Sequence, residues 1–174
     1  MLRIISGKYK NKKLISVSGS AVRPTTSLVK KSLFEIISPL SGKTVLDLFA
    51  GVGSLGIEAL SRGARSATFV EKDKIIFKAL SENINQNCDK SAFRAINARV
   101  EVFLNNNTDK YDIILADPPY NIISFESLKL KISEFLNKGG IFCMERKYIK
   151  DVYDNVRIKN YGKTQVLIWQ KKEE

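Results

Sequence analysis

Asp117-Pro118-Pro119-Tyr120 closes an apolar run, Ile113-Ile114-Leu115-Ala116. Two successive prolines cannot donate to a strand ladder, so a strand must stop there. Their carbonyls still accept hydrogen bonds, Asp117 adds a carboxylate, and Tyr120 adds a flat ring. Rigid acceptors beside an aromatic platform suit the capture of a planar group that carries an amine.

A second cluster lies upstream. Gly51, Gly53 and Gly56 form G-x-G-x-x-G after the apolar stretch that ends Asp47-Leu48-Phe49-Ala50. Glycines at this spacing suit a tight strand-to-helix turn that a ligand can approach closely. Glu71 follows Gly51 by 20 residues, where a carboxylate can grip both hydroxyls of a ribose. Dinucleotide enzymes share this pattern, but a pyrophosphate over the turn would meet the Asp47 carboxylate. Asp47, Glu71 and Asp117 at three strand ends predict an acidic rim and hence a cationic cofactor. S-adenosylmethionine, with a sulfonium, an ammonium and no phosphate, has that character.

Composition narrows the chemistry further. Histidine is absent from the 174 residues, which removes imidazole bases, Ser-His-Asp triads and histidine metal sites. Cys88 and Cys143 lie too far apart in sequence for metal-type spacing, so free thiols and no metal are expected. No apolar run reaches membrane-spanning length and the N-terminus lacks a signal-peptide pattern, so a reducing, cytoplasmic setting is expected. The formal charge is +11. Residues 1–43 hold nine Lys/Arg against Glu35 alone, residues 44–143 balance at twelve of each sign, and the remainder adds a small excess. A basic N-terminus beside a neutral body fits engagement of a polyanion.

The elements that must position these groups follow from periodicity. Leu2–Ser6 and Lys13–Val17 flank a basic turn and predict a hairpin. Leu28, Val29, Ser32, Leu33, Ile36 and Ile37 recur at helical spacing, with Thr25 or Thr26 as N-cap and an end near Pro39. From Lys43, strands are predicted at 44–49, 67–71, 93–97, 112–116 and 140–145, alternating with helices at 54–62, 74–85, 100–105 and 125–136. Such alternation with apolar strands means a mostly parallel sheet covered on both faces. Residues 156–159 and 164–171 predict a terminal hairpin. The chain divides into a basic extension, 1–42, and an α/β body, 43–174, forming one compact unit.

Asp117-Pro118-Pro119-Tyr120 resembles the signature of methyltransferases that modify exocyclic amines, and with the glycine loop it looks like the class I, Rossmann-like S-adenosylmethionine-dependent fold. That resemblance implies seven strands with an antiparallel last one. It also implies a chemistry that needs no histidine. An exocyclic amine is a weak nucleophile because its lone pair delocalises into the ring. Asp117 and the Pro118 carbonyl can each accept one N–H, freeing that lone pair to attack an aligned methyl. Tyr120 can stack on the base once it is unstacked from its RNA.

Arg3-Ile4-Ile5-Ser6-Gly7, Lys12-Lys13-Leu14, Arg23-Pro24-Thr25-Thr26 and Ala59-Leu60-Ser61-Arg62-Gly63-Ala64 extend the likeness to the RsmD-like family, bacterial 16S ribosomal RNA guanine-N2 methyltransferases. The resemblance implies a guanine N2 target in small-subunit RNA, within a partly assembled subunit. It places Asp47, Phe49, Ala50, Gly51, Gly53, Ser54, Glu71, Lys72, Ala98 and Arg99 around the cofactor, although the family often carries an acidic or amide residue where this chain has Asn97-Ala98-Arg99. Catalysis falls to Asp117, Pro118, Pro119 and Tyr120. RNA contacts fall to Arg3, Lys8, Lys10, Lys12, Lys13, Arg23, Thr25 and Thr26. The motifs also allow an adenine-N6 enzyme on RNA or DNA, a non-catalytic RNA-binding protein on the same scaffold, or, with least support, a nicotinamide oxidoreductase.

Overall fold

A computed structural model describes residues 2–17, 26–119 and 122–173. Seven strands form one sheet: β1 Thr44–Leu48, β2 Ser66–Glu71, β3 Phe93–Asn97, β4 Tyr111–Ala116, β5 Leu136–Lys147, β6 Val156–Tyr161 and β7 Thr164–Gln170. Their order is β3-β2-β1-β4-β5-β7-β6. The β1 to β5 pairings are parallel, while β7 runs antiparallel to both neighbours. The expected seven-stranded sheet with an antiparallel last strand is therefore present.

The helices are α1 Ser27–Ile36, α2 Ser54–Ser61, α3 Lys74–Asn87, α4 Val100–Asn106 and α5 Phe125–Ile132. Alternating strand residues feed two cores. Val45, Phe69, Ile113, Leu115 and Cys143 pack with α1, α2 and α3, while Leu46, Leu48, Ile114, Phe142 and Met144 pack with α4 and α5. The strand order reverses at β1 and β4, and open α/β sheets in general bind ligands beyond the carboxyl ends of the strands at such a point. Both acceptor clusters read from sequence sit at that edge.

Two expectations need correction. The N-terminal hairpin is reduced to one bridge, Arg3 with Lys13. Bonds from Ile4 N–H to the Lys12 carbonyl, Asn11 N–H to the Ile4 carbonyl and Leu14 N–H to the Leu2 carbonyl still close the turn. Other backbone groups go to α2: Ile5 and Ser6 N–H donate to Glu58, Lys8 N–H to the Ser61 carbonyl, and Tyr9 N–H to Ser61 Oγ. The segment is thus an arm laid on α2, not a free ribbon. The helix expected through residue 136 ends at Ile132 and passes through a short 3-10 turn, and β5 begins at Leu136. The strand expected to begin at Gly140 therefore starts four residues earlier, and the register with β4 shifts between Tyr111 and Ile113 near Gly139, which takes φ +70°.

Candidate active site

The turn after β1 is built from left-handed backbone. Phe49, Gly51 and Gly53 have φ of 57°, 57° and 89°, so a non-glycine residue holds a conformation that L side chains rarely adopt. Ala50 N–H donates to the Val70 carbonyl at 3.0 Å, anchoring the turn to β2. Gly53 is the residue before α2, so that helix starts without a side-chain cap. Its first residue, Ser54, carries a buried hydroxyl with no hydrogen-bond partner among the described residues. An orphaned buried hydroxyl beside a glycine turn suits a polar ligand that completes its bonding.

Glu71 ends β2 and braces this turn. One carboxylate oxygen accepts the Gly51 N–H at 2.9 Å and the other the Asp73 N–H at 2.8 Å. Each oxygen retains a lone pair, so the carboxylate can still receive two hydroxyls. Lys72 is exposed, Ala98 half-buried and Arg99 exposed. Ala98 N–H donates to the Glu71 carbonyl, and Asn97 Nδ2 donates to the carbonyls of Glu71 and Lys72. Arg99 pairs with Glu101 at 3.5 Å.

Asp47 departs from the open rim expected of it. It is 1% exposed and accepts the Gly56 N–H at 2.8 Å. A Cβ on Gly56 would lie 2.2 Å from the Phe69 ring and 3.0 Å from this carboxylate, so the third glycine of the motif makes room for the acid and ring beneath it. Burial pushes the Asp47 carboxyl up to about 7, with Glu71 adding to the rise and the Gly56 N–H opposing it. Of the three acids, only Asp117 lies half-exposed, with Glu71 nearly and Asp47 fully buried.

Asp117 N–H donates to the Leu48 carbonyl at 3.5 Å, which brings the Asp-Pro-Pro segment alongside the start of the glycine turn. Pro118 is buried and Pro119 exposed. The Pro119 carbonyl accepts the Ile122 N–H at 3.4 Å. Tyr120, Arg23 and Thr25 lie outside the described residues.

The N-terminal basic residues divide by environment. Lys8 is ion-paired with Asp89 at 2.8 Å, which raises its pKa. Lys10, Lys12 and Lys13 are exposed. Arg3 bridges Lys13 through the backbone. Thr26 caps α1 by accepting the Val29 N–H, which leaves its hydroxyl proton available.

Buried polar residues that the sequence reading missed hold the arm to the site. Glu58, fully buried in α2, accepts the Ile5 and Ser6 N–H groups and Arg62 Nε, and lies 3.7 Å from the buried ammonium of Lys30. Lys30 donates to the Arg3 carbonyl at 2.9 Å; burial lowers its pKa against the pull of Glu58. Asn83 of α3 is equally buried. It pairs with both the N–H and the carbonyl of Ile15 and donates to the Val52 carbonyl inside the glycine turn. A polar residue inside an apolar helical stripe, as with Asn83 between Leu80 and Ile84, was the available signal.

Relatives agree with this architecture. A Bacillus subtilis protein named "Putative rRNA methyltransferase YlbH" is 34% identical over 98% of this chain and 100% of its own length. The Haemophilus influenzae "Ribosomal RNA small subunit methyltransferase D" is 37% identical over 69% of this chain and 64% of its own length. Among solved structures, the Escherichia coli "Putative methyltransferase yhhF" superposes with a TM-score of 0.88 at 28% identity, covering 99% of each chain. The fold is that of class I methyltransferases. Residues 2–170 match the family described as "Conserved hypothetical protein 95", and with the full-length likeness to the Bacillus subtilis protein the chain belongs to that family, the RsmD family.

Proposed function

We propose that this protein uses S-adenosylmethionine to methylate the exocyclic N2 amine of a guanine in small-subunit ribosomal RNA, in the cytoplasm and on a partly assembled subunit. The observation that carries the reading is the bond from Asp117 N–H to the Leu48 carbonyl, which sets the amine-accepting segment against the glycine turn. Names of full-length and partial relatives as ribosomal RNA methyltransferases support it. Gly51, Gly53, Ser54, Phe49 and Ala50 would line the cofactor, Glu71 would take the ribose hydroxyls, and Lys72, Ala98 and Arg99 would flank the adenine. When bound, the cofactor supplies an electrophilic methyl on sulfonium sulfur.

The chain's own groups prepare the nucleophile. Asp117 and the Pro118 carbonyl accept the two N–H bonds of the amine, which localises its lone pair. Once methylated, the amine must lose one proton, which the Asp117 carboxylate would receive and release to water. Tyr120 holds the ring flat. Residues 1–42, through Arg3, Lys8, Lys10, Lys12, Lys13, Arg23, Thr25 and Thr26, would contact the RNA, with residues 43–174 carrying the chemistry.

The test is to incubate the protein with labelled S-adenosylmethionine and small subunits from cells lacking the gene, then identify the modified nucleoside. Label in N2-methylguanosine, lost in Asp117→Ala while cofactor binding persists, is expected. Label in N6-methyladenosine would overturn the guanine assignment, and no label in any RNA would overturn the enzyme reading.

A further inference from the structure

We propose that Glu145 selects guanine by accepting the N1–H that lies beside the amine received by Asp117; the inference rests on the guanine-N2 reading above. The β4–β5 register runs from Ile113 with Ile141 to Ala116 with Met144 without a break. The β1–β4 hydrogen bonding continues one residue further, through Asp117 N–H to the Leu48 carbonyl. Extending the register by the same step sets Asp117 beside Glu145. Neighbouring parallel strands lie about 4.8 Å apart and registered residues project to the same face.

Alternation assigns that face. Leu115 and Cys143, two residues earlier on each strand, both lie in the core beneath α1, α2 and α3. Asp117 and Glu145 are both half-buried, whereas Asp47 on the same face is closed off beneath the glycine turn. Glu145 is also fixed from its other side, in register with Val166 of β7. The extended register thus puts the two acids on neighbouring strands, on one face at the carboxyl end of the sheet, with β5 paired on both sides.

Base chemistry gives the pair a use. On its Watson–Crick edge guanine presents two adjacent donors, the N2 amine and N1–H. Adenine and cytosine present an amine next to a ring nitrogen that only accepts. Two adjacent acceptors therefore match guanine alone among the amine-bearing bases. For adenine or cytosine, the second carboxylate would face a lone pair in place of a donor. A polar site built for a donor rejects the analogue lacking it far more strongly than an apolar pocket rejects a size change.

The test uses RNA carrying guanosine or 2-aminopurine riboside at the modified position. 2-Aminopurine keeps the amine and replaces N1–H with an acceptor. The wild-type protein is expected to prefer guanosine in kcat/KM by about 100-fold or more. Glu145→Gln offers an amide that can donate to N1 of 2-aminopurine, so the preference should fall at least about tenfold with cofactor affinity unchanged. Glu145→Asp, which retains the acceptor, should keep the preference at a lower rate. Equal losses on both substrates in Glu145→Gln would show a purely structural role and overturn the inference, as would a wild-type protein that does not discriminate. Failure of the wild-type protein to methylate guanosine at all would instead refute the reading on which the inference rests.

Discussion

Asn83 donates to the Val52 carbonyl at 2.9 Å, so a side chain of α3 holds the glycine turn from below while the same amide grips Ile15 of the N-terminal arm. One buried group therefore joins the basic arm to the loop that would seat the cofactor. Asn83→Leu leaves the Ile15 N–H and two carbonyls without partners at about 1–3 kcal/mol per group. Urea unfolding should show a loss of at least that size, and titration should show weakened S-adenosylmethionine binding. Unchanged cofactor affinity in a folded variant would uncouple the arm from the turn.

Asp47 makes stability depend on pH. Its carboxyl is raised from 3.8 to about 7 in the folded protein, so the folded state holds a proton that the unfolded chain has released. That contribution is complete below the unfolded value and is lost as pH rises through about 7. Thermal unfolding should show stability declining across this window. Asp47→Asn keeps an acceptor for the Gly56 N–H and should flatten the decline; an undiminished slope would assign it to other groups.

Glu71→Ala removes both the acceptor for ribose hydroxyls and the brace on the Gly51 N–H. Calorimetry should show cofactor binding weaker by about 1–3 kcal/mol. Affinity equal to wild type would place Glu71 outside the pocket.

Neutralising Lys10, Lys12 and Lys13 together should weaken RNA binding. The log–log salt slope should fall by about 0.7–0.9 for each phosphate that the variant no longer neutralises. Lys8 is kept intact because its replacement would also break the ion pair with Asp89 and confuse the readout. A solubility role for these lysines predicts superimposable salt curves for variant and wild type.

The alternating body of the fold was legible because central parallel strands buried on both faces are apolar, as in Ile113-Ile114-Leu115-Ala116 of β4. The place of Asp47 on β1 beside the glycine turn was legible but its burial was not, since nothing local shows that Gly56 lets it close beneath the turn. The arm was read only in part: 2–6 and 13–17 do pair, at Arg3 with Lys13, yet Ile5, Ser6 and Ile15 also bond to Glu58, Ser61 and Asn83, some 50 to 70 positions away. Propensity reports local fit; long-range polar partners override it.

The central position of β1 has a kinetic side. Thr44 and Asp112, which hydrogen-bond across β1 and β4, are 68 residues apart in the chain. Closing such a span is slow relative to forming local helices, so β1 gains its second neighbour only after most of the chain has been made. The glycine turn extends from that strand, and competence to bind a cofactor should mature late, after much of the helical signal has appeared. In refolding, cofactor binding that rises in step with the earliest helix formation would contradict this order of events.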